Sequence, residues 1–576
     1  MKKLQRAVAD KLHEWLEGIA AEEILKLMEI PSDASKGDLS LPCFKLSKML
    51  RKAPQEIAAQ LADAINGSMD PQSGIAHAES LSGYLNIYLD SKVITPGVLR
   101  DILDSGEGYG SHQEGNGKTI VVDFSSPNVA KPFHVGHLRS TVIGGALVRI
   151  FKFMGYECIG INHLGDWGTQ FGKLVVAYRQ WGDPGRLEQG AIDELLRLYV
   201  RFHEEAERRP ELEDEARAVF ARMEQGDSEM LEQWKWFVEL SLSEFNRIYE
   251  LMGTSFDSIT GESFYNDKMG RVITELQDRG LLEEDQGAML VRLDDYNMSP
   301  ALMLKQDGSS LYHTRDIAAA LYRKDTYQFH KAVYVTDYSQ SLHFRQWFKV
   351  VELMGYPWAD QLVHVPFGRV SLEGTGFSTR KGNIVKLEDL LRQTIAKVHE
   401  IIEEKNPSLE CKDEVARQVG VGAVIFNDLS ANRIKDIVFN WEQALSFEGE
   451  TGPYVQYTYA RICSLLRKGR KVSEVFSGSS NLIEELHLPE PEEYALVKQL
   501  SLFPQSVESA AAKMEPSIIS RYLVDTAQAF NRFYHHCPVM DAERKLRDSR
   551  LLLTEGVRIT LYNGLKLIGL QAPERM

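Results

Sequence analysis

Cysteine is scarce in this chain, and the residues present do not pair by spacing. Cys43, Cys158, Cys411, Cys463 and Cys537 are spread over 576 positions with no C-x-x-C. A disulfide framework or a structural zinc site is not expected, and reduced thiols in the cytoplasm are. Long apolar runs are missing as well. None approaches the ~20 residues of a membrane-spanning helix, so no membrane partner is expected. The opening MKKLQRAVADKLHEWLEGIA is basic like a targeting peptide, but Asp10, Glu14 and Glu17 interrupt it. Its apolar positions recur at helical spacing, so it reads as an amphipathic helix. A basic excess is also lacking. Lys and Arg number 66 against 82 Asp and Glu, a net charge of -16. Global charge of this sign speaks against a nucleic-acid partner.

The distribution of charge matters more than its sum. Acidic residues crowd between Glu204 and Glu215, whereas Arg461, Arg467, Lys468, Arg470 and Lys471 occupy a stretch without a carboxylate. Binding depends on such local fields. The composition, 43% hydrophobic and 26% charged, excludes a wholly disordered chain. At ~150 residues per domain the length suggests roughly four domains.

Along the first ~110 positions helix and strand signals alternate, with QEIAAQLADAI as helix and GYLNIYL as strand. DSGEGYGSHQEGNGKT is the clearest linker. A strand, TIVVDFSS, follows it, then the turn Pro127-Asn128 and a helix from near His137. Strand, polar turn and helix open a parallel α/β unit. Residues from about 193 to 249 read as a charged helical hairpin decorating the sheet. Strand-like runs return at AMLVRL, SLYHT, KAVYVT and LVHVPFG, and beyond about 388 nearly everything is helical. No internal repeat or low-complexity tract occurs.

The segment His134-Val135-Gly136-His137 sits where that first helix begins. A helix N-terminus offers orphan N–H groups and the positive end of a dipole to phosphate. Gly136 permits close approach of a nucleotide, and the imidazoles can donate to charge that develops as pyrophosphate leaves. Two ordinary surface histidines are the plainer alternative. The strand–turn–helix setting and nearby Lys131 favour the nucleotide reading. Phe533-Tyr534-His535-His536-Cys537 is not read as a metal site, because adjacent histidines on a helix diverge. Trp234 and Trp236 read as packing residues.

SSPNVAKPFHVGHLRSTVIG resembles the signature of class I aminoacyl-tRNA synthetases, in the form typical of arginyl-tRNA synthetases. The resemblance runs on through NHLGDWGTQFG, GESFY, DGSSLYHTRDIAAAL, FSTRKGN, TGPYVQYTYARI and the terminal IGLQAPERM, nearly the whole chain. It implies an α/β Rossmann-type catalytic domain with insertions (111–387, helical insertion about 193–249). An N-terminal α+β domain (1–110) would touch the tRNA elbow. A helical connecting region (388–450) would meet the stem, and an all-helical anticodon-binding domain (451–576) would complete the chain. The implied activity is ligation of arginine to its tRNA through an arginyl-adenylate, with activation requiring bound tRNA. Partners would be tRNA, L-arginine and ATP; Mg²⁺ would arrive with ATP, with no structural metal, and the protein would be a cytoplasmic monomer.

Site residues follow from the same resemblance. Lys131, His134, Gly136, His137, Phe377 and Ser378 would hold ATP. In the FSTRKGN loop Thr379 stands where the general class has its second lysine, so Lys131, or else Arg380 or Lys381, would supply the catalytic cation. A guanidinium is planar, always charged and rich in donors, so burying it needs acceptors and opposite charge. Asn128, His163, Asp166, Glu262, Tyr312, Asp316 and Gln340 are the matching candidates. Taken singly, Asp316 could cap a helix and Tyr312 could be a core aromatic; their joint match favours the site. Tyr454, Gln456, Tyr459 and Arg461 would contact splayed anticodon bases. A small-metabolite nucleotidylyltransferase would share the histidine motif but not the helical tail. An inactive RNA-binding relative would not need Lys131 and both histidines.

Overall fold

The computed structural model describes residues 2–16, 18–31, 33–68, 74–306, 312–372, 385–471, 483 and 485–576. They group into two compact units. One comprises Met1–Gly110, Thr458–Val507 and Tyr522–Asn563; the other comprises Ser111–Tyr457, Glu508–Arg521 and Gly564–Met576.

The second unit is built on five parallel strands: β1 (Thr119–Asp123), β2 (Glu157–Asn162), β3 (Ser258–Ile259), β4 (Lys331–Asp337) and β5 (Leu362–Phe367). Their order across the sheet is β5-β4-β1-β2-β3. Continuous apolar runs such as Ile120-Val121-Val122 suit strands covered on both faces, which is why alternation is weak in them. Helices α1 (Leu138–Phe153), α2 (Tyr312–Tyr327) and α3 (Ser341–Leu353) provide part of that cover. The core beneath α2 and α3 includes Trp347, Phe329, Val350 and Leu321. Because the chain order reverses between β1 and β4, a crevice opens at their carboxyl ends, where ligands of such sheets collect.

Several elements differ from the sequence reading. TIVVDFSS leaves the strand at Asp123; Ser125, Ser126 and Ala130 all have positive φ, 71°, 50° and 61°. The SLYHT run is not a strand where it is described, since Tyr312 already opens α2. AMLVRL joins a separate three-stranded antiparallel sheet. The charged insertion is three helices, Pro184–Arg208, Glu211–Glu224 and Ser228–Met252, and not a hairpin. Nor is it mere decoration. Ser241 Oγ accepts from the Ala130 N–H at 3.1 Å, and the Tyr249 hydroxyl lies 2.8 Å from Ser125 Oγ. Phe245 and Tyr249 also pack on Phe133, at ring separations of 5.6 and 5.4 Å.

In the first unit a three-stranded antiparallel sheet carries the N-terminal residues, with Leu39–Pro42 and Ile75–Leu81 flanking Tyr84–Leu89. The remainder is helical, including Pro491–Ser501 and most of Ser517–His536 and Arg544–Leu567. Among the described residues no helix is long and apolar enough to cross a membrane.

The Tyr249 hydroxyl also accepts from Asn162 Nδ2 at 3.1 Å. Tyr249→Phe would leave the buried Asn162 Nδ2 without this acceptor and Ser125 Oγ with Thr141 Oγ1 at 2.9 Å in place of both partners, a loss of about 1–3 kcal/mol. The urea unfolding midpoint should fall accordingly, and an unchanged midpoint would show that the turn after β1 does not depend on this contact.

Candidate functional site

The turn after β1 is tied down by side chains from three directions. The Ser125 N–H donates to Ser140 Oγ (2.9 Å), the Ser126 N–H to Asn162 Oδ1 (3.1 Å), and Ser126 Oγ to Asp123 Oδ1 (3.0 Å). Val129 N–H donates to the Gly165 carbonyl, and Gly165 N–H to that of Pro127, each at 3.1 Å. A side chain at Gly165 would begin 2.2 Å from Asn128 Oδ1, so only glycine lets the two segments meet.

From this turn the chain runs into the two histidines. His134 caps the short helical turn Val135–His137: its Nδ1 accepts from the Gly136 N–H at 3.0 Å. The His134 N–H in turn donates to His137 Nδ1 at 3.2 Å. The rings stack with centroids 4.0 Å apart. Since both Nδ1 atoms accept from backbone, the neutral rings carry their protons on Nε2, ready to donate. Burial lowers the His134 pKa, with Lys131 adding to the effect; burial, then His134, then Lys131 hold His137 well below the usual histidine range. Lys131 itself is lowered by burial and lies over the Tyr199 ring at 5.9 Å. Val385–Leu387 runs beside this motif: Val135 N–H donates to Val385 O (3.2 Å) and Leu387 N–H to Phe133 O (2.9 Å). Phe377, Ser378, Arg380 and Lys381 lie outside the described residues.

In the crevice itself is a cavity of about 440 Å³, and six of the seven guanidinium-site candidates line it: Asn128, His163, Glu262, Tyr312, Asp316 and Gln340. Tyr312, Asp316, Ala319 and Arg323 form one stripe of α2, from 65% exposed at Tyr312 to 1% at Arg323. Three carboxylates reach the cavity, and each has a neighbour. Asp123 pairs with Arg323 Nη1 (2.8 Å), Glu262 with Arg315 Nη1 (3.2 Å) and Asp316 with His343 Nε2 (2.5 Å). Burial pushes the Glu262 carboxyl up to about 7, with Arg315 opposing and Asp316 adding to the rise. His163 Nδ1 faces the Thr260 carbonyl at 3.0 Å and must donate there, so its Nε2 is an acceptor. Burial keeps this ring neutral by lowering its pKa.

Asp166 requires correction. It does not line the cavity: it is 5% exposed and spends both oxygens on Ser263, taking the N–H at 2.8 Å and the hydroxyl at 2.7 Å. It therefore fixes the turn that presents Glu262. Trp234 packs on Trp167 but also donates to the Asp166 carbonyl at 2.7 Å. The sequence reading missed Asp123, Arg323 and His343. An acid closing β1, and a histidine three positions beyond Gln340, are the signals that could have shown two of them.

Two of the anticodon candidates also need correction. Gln456 is buried and its Nε2 donates to the Gln418 and Gln571 carbonyls. Tyr459 is buried too, its ring tilted against Tyr562. Neither can meet a base without leaving the core. Tyr454 is half-buried, and Arg461 donates to Asn531 Oδ1 (2.8 Å) and lies over the Tyr534 ring.

Comparison with known proteins gives these features a class. Residues 98–441 match the family described as tRNA synthetases class I (R), catalytic domain. Residues 455–576 match the DALR anticodon binding domain, and residues 2–89 the arginyl tRNA synthetase N terminal domain. The chain thus has the catalytic architecture of a class I aminoacyl-tRNA synthetase. It is 52% identical to the arginine–tRNA ligase of Alkaliphilus metalliredigens and 50% identical to that of Clostridioides difficile, each over 100% of both chains. The Thermus thermophilus arginyl-tRNA synthetase structure superposes with a TM-score of 0.82 at 27% identity, covering 100% of this chain and 99% of that one. The chain belongs to the arginyl-tRNA synthetase family.

Nitrogen NMR of the histidines should report Nε2–H tautomers for His134 and His137 at pH 7. His137 should stay neutral as the pH falls past 6.5, because its pKa lies well below that value. Gly136→Ala would put a Cβ 2.7 Å from His134 Cε1, so it should shift the His134 signals while circular dichroism is unchanged. Protonation of His137 near pH 6.5, or an Nδ1–H pattern, would contradict the geometry.

Proposed function

We infer that this chain is an arginine–tRNA ligase that uses ATP. The observation that carries the reading is the cavity at the sheet's switch point, where acids, a phenol and an amide converge. In the first step the arginine carboxylate attacks the α-phosphorus of ATP. The bond to the β-phosphate breaks, pyrophosphate leaves, and arginyl-adenylate forms. In the second, a ribose hydroxyl at the tRNA 3′ end attacks the activated carbonyl and AMP departs.

The guanidinium would lie among Tyr312, Asp316 and Glu262, with Gln340 completing the polar wall. Asn128 and the acceptor Nε2 of His163 suit the substrate's α-amino end. Catalysis would be positioning and electrostatics: the Nε2–H groups of His134 and His137, with Lys131, stabilise charge on the phosphates as pyrophosphate departs. Mg²⁺ would enter with ATP. Arg380 and Lys381 remain the alternative cations, beside Phe377 and Ser378 as ATP contacts. Among the anticodon candidates, Tyr454 and Arg461 keep partial exposure. In the N-terminal region Phe44 and Tyr84 stand edge to face 5.3 Å apart with both rings exposed, a surface that suits the tRNA elbow. The proposed division of the chain remains 1–110, 111–387, 388–450 and 451–576, and the enzyme would act as a cytoplasmic monomer.

Asp316→Asn or Tyr312→Phe should raise the KM for arginine far more than that for ATP. A site whose polar partners become buried when the substrate fills it can reject an analogue that leaves them unpaired by ~10⁴-fold or more, so citrulline should be a poor substrate. Equal weakening for arginine and ATP would remove these residues from the pocket.

Activation would also require bound tRNA, whose contacts with the outlying domains hold its acceptor end at the crevice. Arginine-dependent exchange of labelled pyrophosphate into ATP should therefore appear only with cognate tRNA present. Comparable exchange without tRNA would refute this coupling and leave the ligase assignment intact.

A further inference from the structure

The three carboxylates of the cavity are not equivalent as acceptors for a cation. Asp123 and Glu262 face arginines, whose charge is permanent. Asp316 faces His343, from the first turn of α3, at 2.5 Å. A histidine can hold a carboxylate in two ways: as an imidazolium that cancels its charge, or as a neutral donor that does not.

His343 packs among other rings. Its ring lies 4.4 Å from that of His313 and 5.7 Å from that of Phe344, centroid to centroid. Gln346 Nε2 donates to the Ser299 carbonyl at 2.8 Å, so Gln346 Oε1 is the atom that faces His313 Nε2, at 3.2 Å. His313 therefore donates from Nε2, and burial, with His343 next, lowers its pKa. An ionised carboxylate only accepts, so His343 carries a proton on the Nε2 that faces Asp316.

We propose that His343 is the positioning residue of guanidinium recognition: its Nε2–H pins Asp316 Oδ2 and, unlike an arginine, brings no permanent charge, which leaves Oδ1 to the substrate. Asp316 is then the cavity's principal acceptor, since among the described residues lining it the other two acids are already matched by arginines. This inference rests on the placement of arginine argued above.

Three substitutions separate donation from charge, read by tRNA- and arginine-dependent pyrophosphate exchange. His343→Gln keeps a neutral donor and should hold the arginine KM within ~3-fold of the parent. His343→Leu removes the donor and should raise it ~10-fold or more, the scale of losing a hydrogen bond to a charged group. His343→Lys keeps a donor but adds a permanent cation, and should also raise it at least ~10-fold. The ATP KM should not move in any of them. If the leucine variant fails to fold, the contrast between Gln and Lys still decides the matter. Equal arginine KM values for Gln and Lys, or a parallel rise in the ATP KM, would overturn the proposal. Asp316→Asn is the control. If it raises the arginine KM while His343→Leu does not, only the role of His343 falls; if it has no effect, the placement of arginine falls with it.

Discussion

The turn between β1 and the histidine motif is the constraint on which the rest of the site depends. Within six positions Ser125, Ser126 and Ala130 all take a left-handed backbone conformation that costs an L-residue roughly 1–2 kcal/mol. Such a conformation persists only where its surroundings over-determine it. Here they do. Ser140 at the start of α1, Asn162 at the end of β2, and Ser241 and Tyr249 on the inserted helix each supply a polar atom to the turn. The result is a sharp redirection of the chain. Asn128 comes to the cavity wall, and Phe133 is set against the inserted helix just ahead of His134.

This dependence explains which parts of the structure were legible in the sequence. The strand–turn–helix unit was readable because continuous apolar residues, then Pro127-Asn128, then a helical run are local patterns. Six of the candidates line one cavity, and they could be grouped from sequence because they come from short segments at strand ends and helix starts. What the inserted helices do was not readable. Their charge pattern describes the solvated face, whereas Ser241, Phe245 and Tyr249 act from the opposite face across more than a hundred positions. No local period encodes that distance. The same limit applies to Tyr312, whose segment has strand-like composition but opens a helix that must present Asp316 four residues later.

Burial, which a single sequence does not print, accounts for the misplaced residues. Asp166 sits in a motif rich in polar groups and looks like a ligand, but its two oxygens are consumed by Ser263. Gln456 and Tyr459 stand in a run of tyrosines that suggests stacking with bases. The helix Gly452–Gly469 turns both of them inward, while Tyr457 between them is 40% exposed. A helix displays residues three or four apart on one face, so a dense aromatic cluster cannot all face a partner.

The net charge of -16 shows the same principle at the scale of the site. A cavity proposed for a guanidinium needs acidic groups, but burying a carboxylate favours its neutral form, and even beside Arg315 the Glu262 carboxyl is pushed up to about 7. The chain meets this by seating Arg323 and Arg315 against two of the three acids. Had every acid been matched by arginine, the cavity would present no net attraction to a cation. Had none been matched, the acids would be driven toward their neutral forms. Leaving one acid beside an imidazole is an intermediate solution, in which a hydrogen bond orders the carboxylate without setting a permanent charge against it.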